Sequence, residues 1–433
     1  SFRKFTYEFM LFFWYTINKH LTEAKMKKFY LLIAIIFLFL SFTSELRASP
    51  NVEAPSAILL DYENGRVLYE KDPDKKMYPA STTKIMTAIL CIEKGNLDDI
   101  VTVGTNPPLI ERGSSQIYLI PGEKLTLEQL LYALMVESAN DAAVAIAEHI
   151  EGSIEEFAEM MNDKAREIGA TNTNFVNPHG LPDDNHYTTA RDLALMGQYG
   201  MTLPKFREVV STVKYTIPET NKQPERDYIT NSNRSIWTVN RTYHYEHAIG
   251  IKTGYTTKAK NCFVSAAEKD GMILISAILG KETNGYSNMF TETKDLFEFA
   301  FDKYRREPLI GKNEVITSVK VEGLSSSLDL QAWKDFHLVC SDDELKRLKK
   351  DIVVEKNIER PIVKGQTLGY AAFSLDGEEI GRVALTSSEE VPLPRAKKFK
   401  SFFLYLLLAL VVGRGIVIVA KRVKAKRRMR YRF

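Results

Sequence analysis

Two apolar runs near the ends of the chain confine whatever folds to the stretch between them. The first, residues 29–42, follows Met26-Lys27-Lys28 and precedes Leu46-Arg47-Ala48. A charged lead, an apolar stretch too short to span a bilayer comfortably and a small residue at a cleavage point make a signal peptide. Residues 1–48 are therefore read as an upstream extension plus signal peptide. The second run, residues 402–420, is apolar except for Arg414 and leads into eight positive charges between Lys421 and Arg432. Its length is close to the ~20 residues that cross a bilayer, and a basic tail stays in the cytoplasm. The expectation is a single-pass cell-membrane protein with a C-terminal membrane helix and tail at residues 401–433 and a linker at 392–400. The body then lies on the extracytoplasmic face. A charge in mid-membrane is costly, and the alternative is a helix lying in the interface, which leaves the body on the same side.

The net charge of +3 divides unevenly along the chain. The two ends, residues 1–48 and 401–433, take 16 of the 58 bases and three of the 55 acids, leaving 42 bases against 52 acids in the body, a net of −10. A body that acidic repels a phosphate backbone, so nucleic acid is excluded as a partner. Cys91, Cys262 and Cys340 are far apart and odd in number, so they build neither a disulfide framework nor a metal-type spacing. They read as small core residues. His244 and His247 form one close pair without a third ligand nearby, short of what a metal site needs. No metal site is expected from these residues.

Within the body, residues 56–60 and 66–70 are apolar-rich strands around Asn64-Gly65, a hairpin signal. A helix begins near Ser81 with Ile85, Met86, Ile89 and Leu90 on one face, and residues 125–136 and 142–150 predict two more. Residues 262–267 and 272–279 form a second hairpin around Lys269-Asp270-Gly271, and 288–304 a closing helix. Strands at both ends with helices between them predict an α+β domain over residues 49–305. Beyond Pro308 come short alternating runs at 316–321, 336–339, 352–354 and 380–385, which predict a small all-β spacer domain over 306–391.

Three segments carry chemistry. Ser81-Thr82-Thr83-Lys84 opens the first helix, where residues three apart share a face about 5–6 Å between Cβ atoms. Serine needs an adjacent base, and a lysine serves only if burial or a neighbouring cation depresses its pKa. The bland reading is a serine at a helix start acting as an N-cap. Glu137-Ser138-Ala139-Asn140-Asp141 falls between two predicted helices; its bland reading is a polar turn with Asp141 capping the next helix. Ile251-Lys252-Thr253-Gly254 leads through Tyr255 toward a strand. Lys252 offers a fixed positive charge, Thr253 a hydroxyl, and Gly254 room for a peptide along the strand edge, against the bland reading of a turn before a hairpin.

Taken in this order, the three segments resemble the signature of the penicillin-binding proteins and serine β-lactamases. Tyr78-Pro79-Ala80 before Ser81, Asn177-Pro178-His179-Gly180-Leu181 and His186-Tyr187-Thr188-Thr189 make the resemblance specific to the low-molecular-mass D-alanyl-D-alanine carboxypeptidases. It covers residues 52–305 well and the β domain loosely. The resemblance implies a β-lactamase/transpeptidase-like catalytic domain acting on peptidoglycan stem peptides and acylated by β-lactams. It makes Ser81 the nucleophile, Lys84 the general base and Ser138 the proton relay to the leaving D-Ala. Asn140 would hold the substrate amide, Lys252 and Thr253 would receive the terminal carboxylate region, and the N–H groups of Ser81 and Tyr255 would form the oxyanion hole. Two departures stand out. Met289 occupies the position where many relatives carry an Arg for the carboxylate, with Lys281 or Lys294 as substitutes. Lys260 follows Ala259 where many relatives have Gly. A β-lactamase, a transpeptidase and a catalytically silent wall-binding protein are the alternatives; a Ser-His-Asp hydrolase is not supported, since the chain has no Gly-x-Ser-x-Gly elbow.

Overall fold

A computed structural model describes residues 50–111, 113–239, 242–282, 287–393 and 395–430; the signal-peptide reading of residues 1–48 lies outside them. In chain order come strands β1 (Ser56–Asp61) and β2 (Val67–Lys71), a short ladder of β3 (Ile100–Thr102) with β4 (Lys124–Thr126), and another of β5 (Lys214–Ile217) with β6 (Arg226–Thr230). Three long strands follow, β7 (Ala248–Thr256), β8 (Lys260–Lys269) and β9 (Met272–Lys281). β1, β2 and these three make one antiparallel sheet in the order β2-β1-β9-β8-β7, so β7 is an edge.

Between the hairpins lie helices α1 (Lys84–Lys94), α2 (Leu127–Tyr132), α3 (Asn140–Glu151), α4 (Ile154–Glu167), α5 (Ala190–Gly200) and α6 (Pro204–Val210), and after β9 comes α7 (Ser287–Lys303). Strand side chains alternate between faces, and β1 uses both. Ile58 and Leu60 enter the core built with α1, α3 and α5, whereas Ala57 and Leu59 enter a second core with Leu296, Phe297 and Ala300 of α7. The sheet is thus covered on both sides, which is why β1 reads as an unbroken apolar run. Cys91, Cys262 and Cys340 are free and buried.

The expected helix over 125–136 is three elements. Thr126 ends β4 and caps α2 in a reciprocal box with Gln129, and a wider π-type turn then runs from Ala133 to Glu137. α4, α5 and α6, which the periodicity did not single out, complete the helical lobe.

The second domain holds β10 (Arg305–Ile310), β11 (Val315–Val319), β12 (Leu328–Ala332), β13 (Phe336–Cys340), the short helix α8 (Asp342–Arg347), β14 (Lys349–Val354), β15 (Thr367–Leu375) and β16 (Glu378–Ser387). Its sheet runs β11-β12-β16-β15-β14, with β10 paired to β13, around a core that includes Leu330, Phe336, Phe373 and Leu385. It is an all-β domain but for α8, whose Ser341–Glu344 capping box starts it. Residues 52–433 form one unit. The last helix, α9 (Arg395–Arg430), carries exposed Leu407, Leu410 and Ile416. Among the described residues no helix is long and apolar enough to cross a membrane; the part of α9 whose side chains are described contains Arg414, Lys421 and Arg422.

Candidate active site

The backbone places the first motif under constraint. Ala80, just before Ser81, has φ 49°, an uncommon conformation for a residue with a side chain. Ala80 to Thr83 then form a tight 3-10 turn, and α1 begins at Lys84 without a side-chain cap. Ser81 therefore caps no helix and its hydroxyl is left for other work. Ser138 ends the wide turn after α2 in the left-handed region, φ 67°, and α3 starts at Asn140. Strained non-glycine backbone at two of three motifs is the pattern expected of a functional cleft.

Glycines bring the segments together. A Cβ on Gly254 would lie 2.8 Å from the Ser81 amide nitrogen and 3.1 Å from that of Thr82, so β7 can press against the Ser81 turn only because residue 254 is glycine. The room expected there for a peptide is taken by the chain itself. A Cβ on Gly180, at φ +87°, would lie 1.8 Å from the Ala80 carbonyl oxygen. The Asn177–Leu181 turn thereby comes under α1, where Thr87 Oγ1 donates to Pro178 O at 2.6 Å.

Lys84 is fully buried and Nζ has three oxygen neighbours: Ser81 Oγ at 3.1 Å, Asn140 Oδ1 at 2.5 Å and His179 O at 2.8 Å. Burial, then the nearby charge of Lys252, holds its pKa well below the usual lysine range, with Asp141 opposing. A neutral amine has two hydrogens and one lone pair. The Asn140 and His179 carbonyl oxygens can only accept, so they take both hydrogens, and the lone pair is left facing the Ser81 hydroxyl. That is the geometry of a general base for an alcohol.

Lys252, in β7, is also buried, and burial lowers its pKa to about 7 while Glu137 opposes the fall. Nζ donates to Thr253 O at 3.2 Å and lies 3.4 Å from Ser232 Oγ. Thr253 Oγ1 is 2.7 Å from Ser232 Oγ. Asp141 does more than satisfy the first turn of α3, where Oδ1 accepts from the Ala142 amide at 3.0 Å: its carboxylate also accepts from the Ile117 and Leu119 amides and so fixes that segment beside Asn140.

The structure thus joins Ser81, Lys84 and Asn140 by hydrogen bonds and sets Lys252 within electrostatic reach of Lys84. Gly254 lies on the Ser81 turn, and Thr253 and Tyr255 flank it on the same strand. Ser138, 6% exposed, stands between Glu137, which faces Lys252, and Asn140. Sequence reasoning missed Glu137, Ser232 and the His179 carbonyl. Glu137 was in view beside Ser138, whereas Ser232 lies in a polar Asn231-Ser232-Asn233 run with no motif around it. The substitutes for an arginine at 289 are otherwise engaged. Met289 is buried with Phe263 and Phe290, Lys281 is held at 2.5 Å by both Glu53 and Glu292, and Lys294 lies over the Tyr245 ring. Lys260 adopts φ 59°, so the turn after Ala259 keeps a left-handed residue without glycine.

Family comparison agrees with this geometry. Residues 43–283 match the D-alanyl-D-alanine carboxypeptidase family, and residues 304–393 match the C-terminal domain of penicillin-binding protein 5. The chain is 34% identical to the D-alanyl-D-alanine carboxypeptidase DacF of Bacillus subtilis over 348 residues, 78% of this chain and 86% of that one. It is 34% identical to DacC of Escherichia coli, over 82% of this chain and 90% of that one. Among solved structures it is similar to penicillin binding protein 5 from Haemophilus influenzae, with 31% identity, a TM-score of 0.68 and coverage of 80% of this chain and 99% of that one. A DD-transpeptidase of Streptomyces is 30% identical with a TM-score of 0.54, over 59% of this chain and 99% of that one. This chain belongs to the D-alanyl-D-alanine carboxypeptidase family.

Proposed function

We propose that the protein removes the terminal D-Ala from peptidoglycan stem peptides through an acyl-enzyme on Ser81, and that penicillins acylate the same serine. The observation that carries this is the Lys84 amine, whose two hydrogens are spoken for by Asn140 and His179 while its lone pair meets Ser81. In the first half-reaction the Ser81 proton passes to Lys84 Nζ as Oγ bonds to the carbonyl carbon of the penultimate D-Ala. The oxyanion is received by the N–H groups of Ser81 and Tyr255, a type of contact worth roughly 2.7–4 kcal/mol per donor. The C–N bond then breaks, and the departing D-Ala amine takes that proton from Lys84 through Ser138, which leaves Lys84 neutral again. In the second half-reaction water adds to the ester, giving up its proton to Lys84, and Ser81 Oγ leaves with that proton restored. Asn140 holds the substrate amide, and Lys252 and Thr253 receive the terminal carboxylate.

The site is placed outside the cytoplasmic membrane, exported by residues 1–48 and tethered by 401–433. The apolar run at 402–420 and the exposed apolar side chains of α9 support the tether. A chain ending before Arg395 is expected in the soluble fraction, and the longer chain in the carbonate-resistant membrane fraction.

Incubation with a diacyl-D-Ala-D-Ala tripeptide should release free D-Ala, and penicillin should stop it. Ser81→Ala is expected to abolish both D-Ala release and covalent labelling by penicillin; labelling that survives this change would place the nucleophile elsewhere. Cross-linked product in place of free D-Ala would make the enzyme a transpeptidase, and rapid penicillin turnover would make it a β-lactamase.

A further inference from the structure

Resting on the carboxypeptidase reading, we infer that Ser232 is a further residue of the carboxylate site, setting the direction of a hydrogen-bond donor chain from Lys252 through Ser232 to Thr253 and on to the substrate. Ser232 is half-buried just beyond β6. Its amide donates to Val136 O at 3.3 Å, on the wide turn that carries Ser138. The residues beside it are fixed from both sides. Asn231 and Asn233 are buried; Asn231 Nδ2 donates to Thr212 O at 2.9 Å, and Asn231 Oδ1 accepts from the Asn233 amide, also at 2.9 Å. The Thr230 amide donates to Glu137 Oε2 at 3.2 Å. A hydroxyl held this firmly is preorganised instead of being recruited by substrate.

The direction follows from donor and acceptor inventories. A protonated Lys252 has no lone pair and can only donate. It donates to the Ser232 oxygen, 3.4 Å away; the 2.7 Å pair of Ser232 Oγ and Thr253 Oγ1 can be donated from either side, and the direction that leaves a hydrogen for a carboxylate is from Ser232 to Thr253. With its oxygen already accepting, Thr253 presents its own hydrogen outward as a donor. An incoming carboxylate, which only accepts, meets a hydroxyl that is oriented and polarised by the ammonium behind it. Without Ser232 the Thr253 hydroxyl is free to rotate and the charge of Lys252 is no longer relayed to it. Ser232 acts through Thr253 and is a positioning residue. It sets the preference for a free carboxylate at the substrate terminus.

The test compares two substrates on one preparation: the diacyl-D-Ala-D-Ala tripeptide as the free acid, and the same tripeptide with its terminal carboxyl amidated. The quantity read is the ratio of their kcat/KM values, from which any unfolded fraction cancels. Ser232→Ala is expected to lower the acid-to-amide ratio by about tenfold, the scale of one hydrogen bond to a charged group, with the loss falling on the free acid. Ser232→Thr keeps the hydroxyl and should keep most of the ratio. An unchanged ratio in Ser232→Ala overturns the inference and leaves the carboxypeptidase reading standing. Equal losses in both variants also overturn it, since packing and not the hydroxyl would then be at work. Failure of the unsubstituted enzyme to release D-Ala from the free acid removes the underlying reading and this inference with it.

Discussion

Two lysines share this cleft and are asked for opposite states. Lys84 is useful neutral and Lys252 charged, and their surroundings push them apart. Lys84 has burial and a nearby positive charge against it, and only Asp141 in its favour. Lys252 is equally buried but has the Glu137 carboxylate to support its ammonium. Divergent environments for like groups are how one site holds an acid form and a base form together. A lysine is charged below its pKa, so capture of the substrate carboxylate should weaken as pH rises through about 7, the value for Lys252. Glu137→Gln keeps an oxygen for the Thr230 amide and removes the charge. That change should move the alkaline limb of kcat/KM to lower pH by roughly one unit, about 1.4 kcal/mol of differential stabilisation. A limb that stays in place in pH–rate profiles of the two proteins would assign it to another group.

At the scale of elements, the site depends on how closely an edge strand approaches a helix start. Gly254→Ala puts a methyl 2.8 Å from the Ser81 amide nitrogen, where the obstacle is backbone and cannot rotate away. The expected result is a loss of penicillin acylation of roughly a hundredfold or more, in line with displacing a reacting group by about an ångström. Thermal unfolding should shift only modestly, because β7 is at the sheet edge. Fluorescent-penicillin labelling alongside circular dichroism separates the two. The same elements show what the sequence makes legible. β1, β8, β9 and α7 carry runs whose length and alternation follow from burial on one or both faces, and they lie where expected to within a residue or two at most ends. The turn from Ala133 to Glu137 does not, since a π-type turn has nearly the composition of a helix and differs only in register. Ser81, Lys84, Asn140 and Lys252 were readable through the resemblance of three ordered motifs to a known family; only the three-residue spacing of Ser81 and Lys84 carries a physical reason of its own. Ser232 was not, because its role comes from the turn after β6 reaching Lys252 and Thr253 of β7, contacts across 20 and 21 positions of sequence that no local pattern encodes.

On the scale of the molecule, the β domain meets the catalytic domain at the turn between β1 and β2 through backbone and charge, and through Val339, which is buried in the second core with Leu59 and Leu68. Arg66 is central to that junction. Nη1 donates to Val339 O at 2.6 Å, Nη2 pairs with Glu344 Oε1 at 2.6 Å, and the guanidinium lies 6.0 Å from the centre of the Tyr304 ring. Its side chain is only 14% exposed, and that of Glu344 16%. This is more than a surface ion pair, which is typically worth about 0–1 kcal/mol; a truncated arginine would leave a carbonyl and a carboxylate half-buried and short of a donor. Asn64 adds a second bond from the same turn, Nδ2 donating to His337 O at 3.0 Å. None of these groups is a hydrogen-bond partner of Lys84 or Lys252, so the junction is expected to orient the domains without entering the chemistry. Arg66→Ala should therefore leave kcat/KM on a soluble tripeptide unchanged while weakening the junction by about 1.5–3 kcal/mol, the range for a hydrogen bond to a charged group. Limited proteolysis should then cut near residues 304–305 at protease concentrations that leave the unsubstituted protein whole. If Arg66→Ala and the unsubstituted protein resist equally, the β domain is held by its other contacts and Arg66 is dispensable there. If tripeptide hydrolysis falls in step with protease sensitivity, the spacer reading fails and the β domain takes part in shaping the catalytic cleft.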